Sequence, residues 1–384
     1  MGKHIPEIVI TGGPCGGKSG ALDIIPRRLN AIGYSVIILR EVAEDIFSSI
    51  FPNDVKDIRE FAQKYPERYC AMQEQMFLEI MAKLEIRRNF AKICGGEKIV
   101  ILLDRGPMDA LAYMPSKDFF EFVRRNSFSI YDIRDSFDGV VHLVTAADGA
   151  EEFYEQNDVR IETPEEARAL DKKTQWAWVG TPHLRIIDNS TGFDAKMDRL
   201  FRAILRVLGE PEPLEIERRF LLRHKPDFRN SILRRAELLF IEQMYLARSL
   251  EGISRIRKRS TVKFARGRSQ GDSTSYYKAT KVDISPGVRR EDEHEISFNE
   301  YEHLATFKDF DRRVVRKHRY CFVYNNQYFE LDVFISPEWA KGLCLLEIEL
   351  LNENDFVDLP PFLNIEKEVT DDSRYSNYEI AGRR

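Results

Sequence analysis

The chain has 384 residues, of which 43% are hydrophobic and 32% charged, and its net charge is −5. That length exceeds what one hydrophobic core commonly serves and predicts two domains, while no stretch approaches the roughly 20 apolar residues of a membrane-spanning helix. The negative balance excludes a general nucleic-acid or membrane binder acting through bulk charge, so no DNA partner is expected, and five scattered cysteines without a C-x-x-C pair do not make a disulfide framework.

The opening MGKHIPEIVITGG lacks the basic region, long apolar run and cleavage site of a secretory signal, and Pro6 stands where a myristoylation signal needs Ser or Thr. A cytoplasmic location is expected. Ile8 to Thr11 reads as a short buried strand, Gly20 to Ala31 as an amphipathic helix, and Tyr34 to Leu39 as a second strand. Between the first strand and the helix lies GGPCGGKS, residues Gly12, Gly13, Pro14, Cys15, Gly16, Gly17, Lys18 and Ser19. It fits G-x-x-x-x-G-K-[ST] with the correct flanks: glycines let successive N–H groups face a phosphate, the helix N-terminus adds partial positive charge, Lys18 reaches the terminal phosphates and Ser19 ligates Mg²⁺.

Glu41 ends the second strand, where it either faces the same cleft or opens a helix. Pro66 to Cys94 carries Met72, Met76, Leu78, Ile80 and Leu84 at helical spacing. The apolar run from Lys98 to Leu103 leads into LLDRGPMD, which sets Asp104 at a strand's C-terminal edge. Ligands of open α/β sheets bind there, so Asp104 is expected to hold Mg²⁺ or take a proton, with capping of the next segment as the alternative; Arg105 is expected on a phosphate. Val140 to Val144 and Leu184 to Ile187 supply two more strands, and Asp194 to Leu208 a helix. Arg160 and Arg168, in NDVRIETPEEARALD, lie in a charged segment of the kind that closes over phosphates, and Asn189 in IIDNST is expected near the base. No N-K-x-D selects guanine, so the nucleotide is ATP or GTP. Alternation of strand and helix predicts a mainly parallel sheet with helices on both faces over residues 1–208.

Two prolines and a glycine in GEPEPLE mark a linker at 209–214. Beyond it, over 215–384, short segments of alternating polarity predict an antiparallel β-barrel with helical insertions, an α+β domain. Charged residues recur at spacing two, which puts them on one strand face: Glu215, Glu217 and Arg219; Arg255 and Arg257; Lys281; Arg289, Glu291, Glu293 and Glu295; Lys317 and Arg319; Glu330 and Asp332; Glu347 and Glu349. One such pair is ordinarily a solvated strand face. Seven sets in one domain, most facing apolar positions across the strand, point instead to a hydrated tunnel whose carboxylates suit Mg²⁺ or Mn²⁺ and whose cations suit a chain of phosphates. Eight Lys and Arg between Arg248 and Arg268, against Glu251 alone, add a local anion-attracting segment.

The first half, through GGPCGGKS, DRGPMD, NDVRIETPEEARALD and IIDNST, resembles the P-loop ATPase and kinase-like domains related to nicotinamide riboside kinase and thymidylate kinase. The second half, through EIERRF, RIR, RREDEHEI, RKHRY, FELDVF, LLEIEL and IEKEVT, resembles the CYTH, or triphosphate tunnel metalloenzyme, superfamily. That resemblance implies Glu215, Glu217, Glu347 and Glu349 as metal ligands with Glu291, Glu293 and Asp332 beside them, and Arg255, Arg257, Lys281, Arg289, Lys317, Arg319 and Lys367 on phosphates. Arg219 stands where the superfamily has Lys, keeping the charge but not the compact ammonium. The function expected is nucleotide binding coupled to metal-dependent hydrolysis of a triphosphate, with Asp104, Glu215 and Glu217 as catalytic carboxylates. The alternative is a nucleotide-regulated binder of anionic phospholipid headgroups at the membrane periphery, and an RNA 5′ end stays open as a third partner.

Overall fold

The structure, a computed structural model of the chain, describes residues 4–40, 42, 54–96, 98–154, 162–211, 214–247, 252–262, 273–285 and 288–382. Two compact units divide it, Met1–Ile204 and Leu205–Arg384. No helix among the described residues is long and apolar enough to cross a membrane.

In the first unit the elements run β1 (Glu7–Gly12), α1 (Lys18–Ala31), β2 (Ser35–Leu39), α2 (Ile58–Lys64), α3 (Pro66–Cys94), β3 (Ile99–Asp104), α4 (Ala110–Tyr113), α5 (Ser116–Arg125), α6 (Ile130–Asp135), β4 (Gly139–Leu143), α7 (Pro164–Ala177), β5 (Leu184–Ile187) and α8 (Phe193–Val207). The five strands form one sheet in the order β2-β3-β1-β4-β5, every pairing parallel. All residues of β1 and β4 are buried, as befits strands covered on both faces, and this explains the apolar runs Ile8–Ile10 and Val140–Val141 at their centres. The chain winds to one side of β1 through β2 and β3, then crosses to β4 and β5. This change of direction opens the crevice at the C-terminal end of β1, where the glycine-rich turn begins.

Helix α3 covers the predicted span, but its buried side differs in detail. Met72, Ile80 and Leu84 are buried as expected, whereas Phe77 takes the place given to Met76 and Leu78. The reason is aromatic packing: the Phe77 ring meets those of Phe119, Phe122 and Phe128 at centroid distances of 6.2, 5.1 and 5.3 Å.

The second unit contains β6 (Leu214–Leu222), β7 (Glu237–Tyr245), β8 (Ile253–Thr261), β9 (Thr274–Ser285), β10 (Val288–Ile296), α9 (Phe298–Ala305), β11 (Val315–Tyr324), β12 (Gln327–Ser336), β13 (Cys344–Glu349), β14 (Ile365–Glu368) and α10 (Asn377–Gly382). Strand order is β10-β9-β8-β7-β11-β12-β13-β6, and β10 pairs with β6 to complete the circuit. The result is a closed, eight-stranded antiparallel barrel, the fold class expected. Closure is shared along one strand: residues 214–216 of β6 pair with β10, whereas 220–222 pair with β14. The β11–β12 hairpin turns on Asn325 and Asn326, both at positive φ (43° and 57°), as a two-residue turn matched to strand twist requires. An apolar cluster of Leu221, Tyr245, Val315, Phe334, Leu345 and Val369 with Ile380 and Ala381 of α10 packs part of the barrel.

Candidate functional site

The glycine-rich turn is held by close backbone approach. A Cβ on Gly12 would stand 2.3 Å from the Leu143 carbonyl oxygen, and one on Gly16 2.6 Å from the same atom, so only glycine lets the turn lie against the end of β4. Gly17, at φ 93°, caps α1, and Cys15 adopts φ 57°. Lys18 folds over the turn, its ammonium donating to the carbonyls of Gly12 and Gly13 at 3.4 Å each. Ser19 is exposed in the first turn of α1 and Pro14 is partly exposed, the Pro14 carbonyl accepting from the Thr145 hydroxyl.

Two buried aspartates brace this turn. The Asp171 carboxylate, on α7, accepts from the N–H groups of Gly13 and Thr145 at 3.0 and 2.9 Å, from Gln175 Nε2 at 2.9 Å, and lies 3.0 Å from His142 Nε2. Burial pushes its pKa up, but His142 and the two backbone donors outweigh that and hold it below the usual carboxylate value. Asp109 accepts from the Thr11 hydroxyl at 2.8 Å and from Trp178 Nε1 at 2.7 Å, fixing the end of β1 to the segment after β3. Both were missed in the sequence, where each looks like an ordinary helix carboxylate.

Asp104 is placed at the C-terminal end of β3, partly buried. Arg105 adopts φ 66°, directs its guanidinium to the Gly12 carbonyl at 3.3 Å, and sits 5.4 Å from the centre of the Tyr113 ring. Arg168 donates to the Ala147 carbonyl at 2.6 Å and to Glu165 at 2.8 Å. The Asn189 amide donates to the carbonyls of Thr145 and Asp148 at 2.7 Å each, so it braces the loop after β4. Arg160 and Glu41 lie outside the described residues.

In the barrel the spacing-two charges converge on one another. Lys281 bridges Glu215 at 2.6 Å and Glu291 at 2.8 Å. Arg255 meets Glu291 at 2.9 Å and Glu293 at 3.5 Å, and Arg257 meets Glu293 at 2.5 Å. Arg219 joins Glu217 at 3.0 Å to Glu347 at 3.1 Å. Arg319 binds Asp332 and Glu347 at 2.7 Å each and also pairs with Glu330; Lys317 pairs with Asp332. Arg289 bonds Asp283 at 2.8 Å and lies 3.8 Å from Glu217. Register sets Glu349 directly across from Glu217 and Glu347 across from Arg219. Lys367 stands apart: it is exposed on β14, its ammonium 5.8 Å from the Tyr375 ring centre.

Burial and ion pairing compete in this interior. Burial lifts the Glu217 carboxyl to about 7 against the pull of Arg219, with Glu347 and Glu215 adding to the rise. Burial also raises Glu347, yet Lys317, Arg319 and Arg219 outweigh it and hold that carboxyl well below its ordinary value. Glu291 is likewise held at about 2, Lys281 and Arg255 overcoming its burial. Sequence reasoning missed Gln243 and Tyr245 of β7, which carry no charge: Arg255 donates to the Gln243 amide oxygen at 3.1 Å, and that amide donates to the Tyr245 hydroxyl at 2.5 Å.

Carboxylate oxygens are the donors that hard divalent cations need, and Glu217, Glu347 and Glu349 on adjoining strands supply them. Among the described residues no three His, Cys, Asp or Glu side chains are gathered as a ready cage; in the barrel Glu215, Glu217, Glu291, Glu293, Glu330, Asp332 and Glu347 are turned to cations instead.

The family model described as AAA domain matches residues 7–196, just under half of the chain. No curated protein matches. A solved structure titled "The crystal structure of the inorganic triphosphatase NE1496" is 29% identical, with 44% of this chain and 95% of that one covered at a TM-score of 0.29. A second, titled "The crystal structure of the hypothetical protein NE1496", is also 29% identical, covering 44% and 98% at the same TM-score. The chain therefore joins a segment that matches the AAA-domain family model, on a parallel sheet, to a closed antiparallel barrel in which charges are paired.

Proposed function

We propose that the chain is a two-domain, metal-dependent phosphohydrolase. Residues 1–208 bind ATP or GTP as a kinase-like or NTPase module, 209–214 link, and 215–384 bind and hydrolyse a triphosphate, either tripolyphosphate or a nucleoside triphosphate. The domain order is similar to that of TRPL translocation defect protein 14. The observation that carries the reading is the closed barrel in which Arg219, Arg255, Arg257, Lys281, Lys317 and Arg319 are interleaved with carboxylates. Guanidinium and ammonium groups match phosphate oxygens, and a buried set of cations needs compensating anions whenever phosphate is absent.

Glu215, Glu217, Glu347 and Glu349 would hold Mg²⁺ or Mn²⁺, with Glu291, Glu293 and Asp332 nearby; the ion would polarise a phosphoryl oxygen and favour in-line attack by water. The cations hold the phosphate chain along the barrel, and Glu215 and Glu217 orient the attacking water. In the first module Lys18 releases the Gly12 and Gly13 carbonyls to take the terminal phosphates, Ser19 serves the metal, and Asp104 either serves the metal with it or accepts the proton of an acceptor hydroxyl.

The test is phosphate release from tripolyphosphate, ATP and GTP with Mg²⁺ or Mn²⁺, comparing the wild type with Glu215→Ala/Glu217→Ala. Turnover that the double substitution abolishes supports the reading. Absence of turnover with every substrate and metal, combined with nucleotide-dependent binding to vesicles of anionic phospholipid, overturns it in favour of a binding protein.

A further inference from the structure

A second buried charge touches the phosphate loop from below, and the spacing-two pattern has nothing to do with it. Lys196 lies on α8 and is only 4% exposed. Its ammonium donates to the Gly16 carbonyl at 3.1 Å, the Val144 carbonyl at 2.8 Å and the Asn189 amide oxygen at 2.6 Å. An ammonium has three donors, and these three acceptors satisfy all of them with neutral groups. The cation is solvated by dipoles rather than cancelled by a contacting carboxylate, so its field reaches the loop above it. The three acceptors belong to the glycine-rich turn, the end of β4 and the segment after β5, which Lys196 ties at one point.

Peptide geometry gives this tie a direction. In a trans peptide the C=O and N–H point opposite ways. Drawing the Gly16 carbonyl inward to Lys196 turns the N–H of Gly17 outward, towards the concave side of the loop. Asp171 does the converse at the other end: by taking the Gly13 N–H at 3.0 Å it turns the Gly12 carbonyl outward, where Lys18 and Arg105 donate to it. One buried anion and one buried cation thus set the two ends of the loop in opposite senses.

We propose that Lys196 is the positioning residue of the phosphate loop, orienting the Gly16–Gly17 peptide towards the nucleotide phosphates and contributing a positive charge that is held by neutral acceptors. The inference rests on the reading of the first unit as a nucleotide-binding module. Burial also lowers the Lys196 pKa to about 8; Asp171, Asp188 and Cys15 oppose that shift and Arg199 adds to it. Asp188 is itself paired with Arg199 at 2.6 Å and Asp171 with His142.

Binding of MgATP and MgGTP to the full chain, measured by calorimetry across a pH series, tests this in the wild type, Lys196→Met and Lys196→Arg. Lys196→Met should weaken binding roughly tenfold to a hundredfold, the range expected for losing hydrogen bonds to a charged group. Wild-type affinity should fall by up to about tenfold per pH unit above pH 8, because the loop then loses its cation. Lys196→Met should lack that dependence, and Lys196→Arg, which stays charged, should bind and lack it too. A purely structural lysine would not move the pH profile. If the wild type binds neither nucleotide, the nucleotide-module reading fails and the inference falls with it. If it binds but Lys196→Met stays within about twofold of it, the inference alone fails. Should Lys196→Met not fold, the wild-type series decides: affinity unchanged from pH 7 to about pH 9.5 overturns the proposal.

Discussion

On the function proposed above, the glycine-rich loop and the barrel interior both hold an anion, with opposite materials. The loop uses backbone dipoles from one contiguous run, Gly12 to Ser19, and keeps two buried charges beneath it, Asp171 and Lys196. The barrel uses side-chain charges from β6 and from β8 to β13, far apart in sequence, each bonded to an opposite charge. Dipoles need no counterion, so the loop is stable before any ligand arrives. Buried guanidinium and ammonium groups do need one. The barrel carboxylates therefore act as the partners of the cations. Injury to the loop should register in affinity, and injury to the barrel in stability.

The sharpest test of that contrast is Asp332→Ala. Asp332 is fully buried and Lys317 nearly so, and removing the carboxylate also strips Arg319 of a partner. Unfolding of the barrel in urea should show a loss of about 3–5 kcal/mol, as expected when one member of a buried ion pair is deleted; a loss below about 1 kcal/mol would break the comparison. Next, Lys18→Met should weaken MgATP or MgGTP binding roughly tenfold to a hundredfold while urea stability stays within about 0.5 kcal/mol, because its partners are backbone carbonyls at the rim of the loop.

A third test uses pH. The folded pKa of Glu217, about 7, lies above its ordinary 4.5, so the folded state binds the proton more tightly than the unfolded chain does. Its stabilising contribution is full below about pH 4.5 and disappears as pH rises through 7. Glu217→Gln, always neutral, should gain roughly 1–2 kcal/mol on the wild type between pH 5 and pH 7.5 in urea titrations. A constant difference across that interval would show that Glu217 ionises without cost. The smallest effect belongs to Arg218→Ala. Its pair with Glu368, at 2.6 Å, is partly solvated on the outer side of β6, and its loss should cost less than about 1 kcal/mol.

What the sequence made legible follows the same division. GGPCGGKS could be read because a backbone site is contiguous, and the barrel because period-two charge survives on every strand that carries it. Asp171 and Lys196 were illegible: in ARALDKK and DAKMDRL a single charge looks like the solvated side of an amphipathic helix, and only tertiary packing buries it. Gln243 and Tyr245 escaped because β7 presents neutral residues where its neighbours present charge. Asn189 was read as bordering a base, yet its amide is spent on loop carbonyls. Lys367 was assigned to phosphate by resemblance; it is exposed on four-residue β14, which runs beside β6 along 220–222.

The shared edge of β6 bears on how the chain acquires this form. The barrel's opening strand, 214–222, pairs with β10, with β13 at 345–349 and with β14 beyond it. During synthesis it must therefore wait more than a hundred residues for β13 and β14, whereas the parallel sheet has all its strands by Ile187. Pairings that distant in sequence make closure late and slow relative to local structure. Until β13 emerges, Arg219 lacks its Glu347 partner, so the pairing that accompanies burial of Arg219 stays incomplete. A nascent chain arrested before residue 344 should carry a protease-resistant first unit and a protease-sensitive second one.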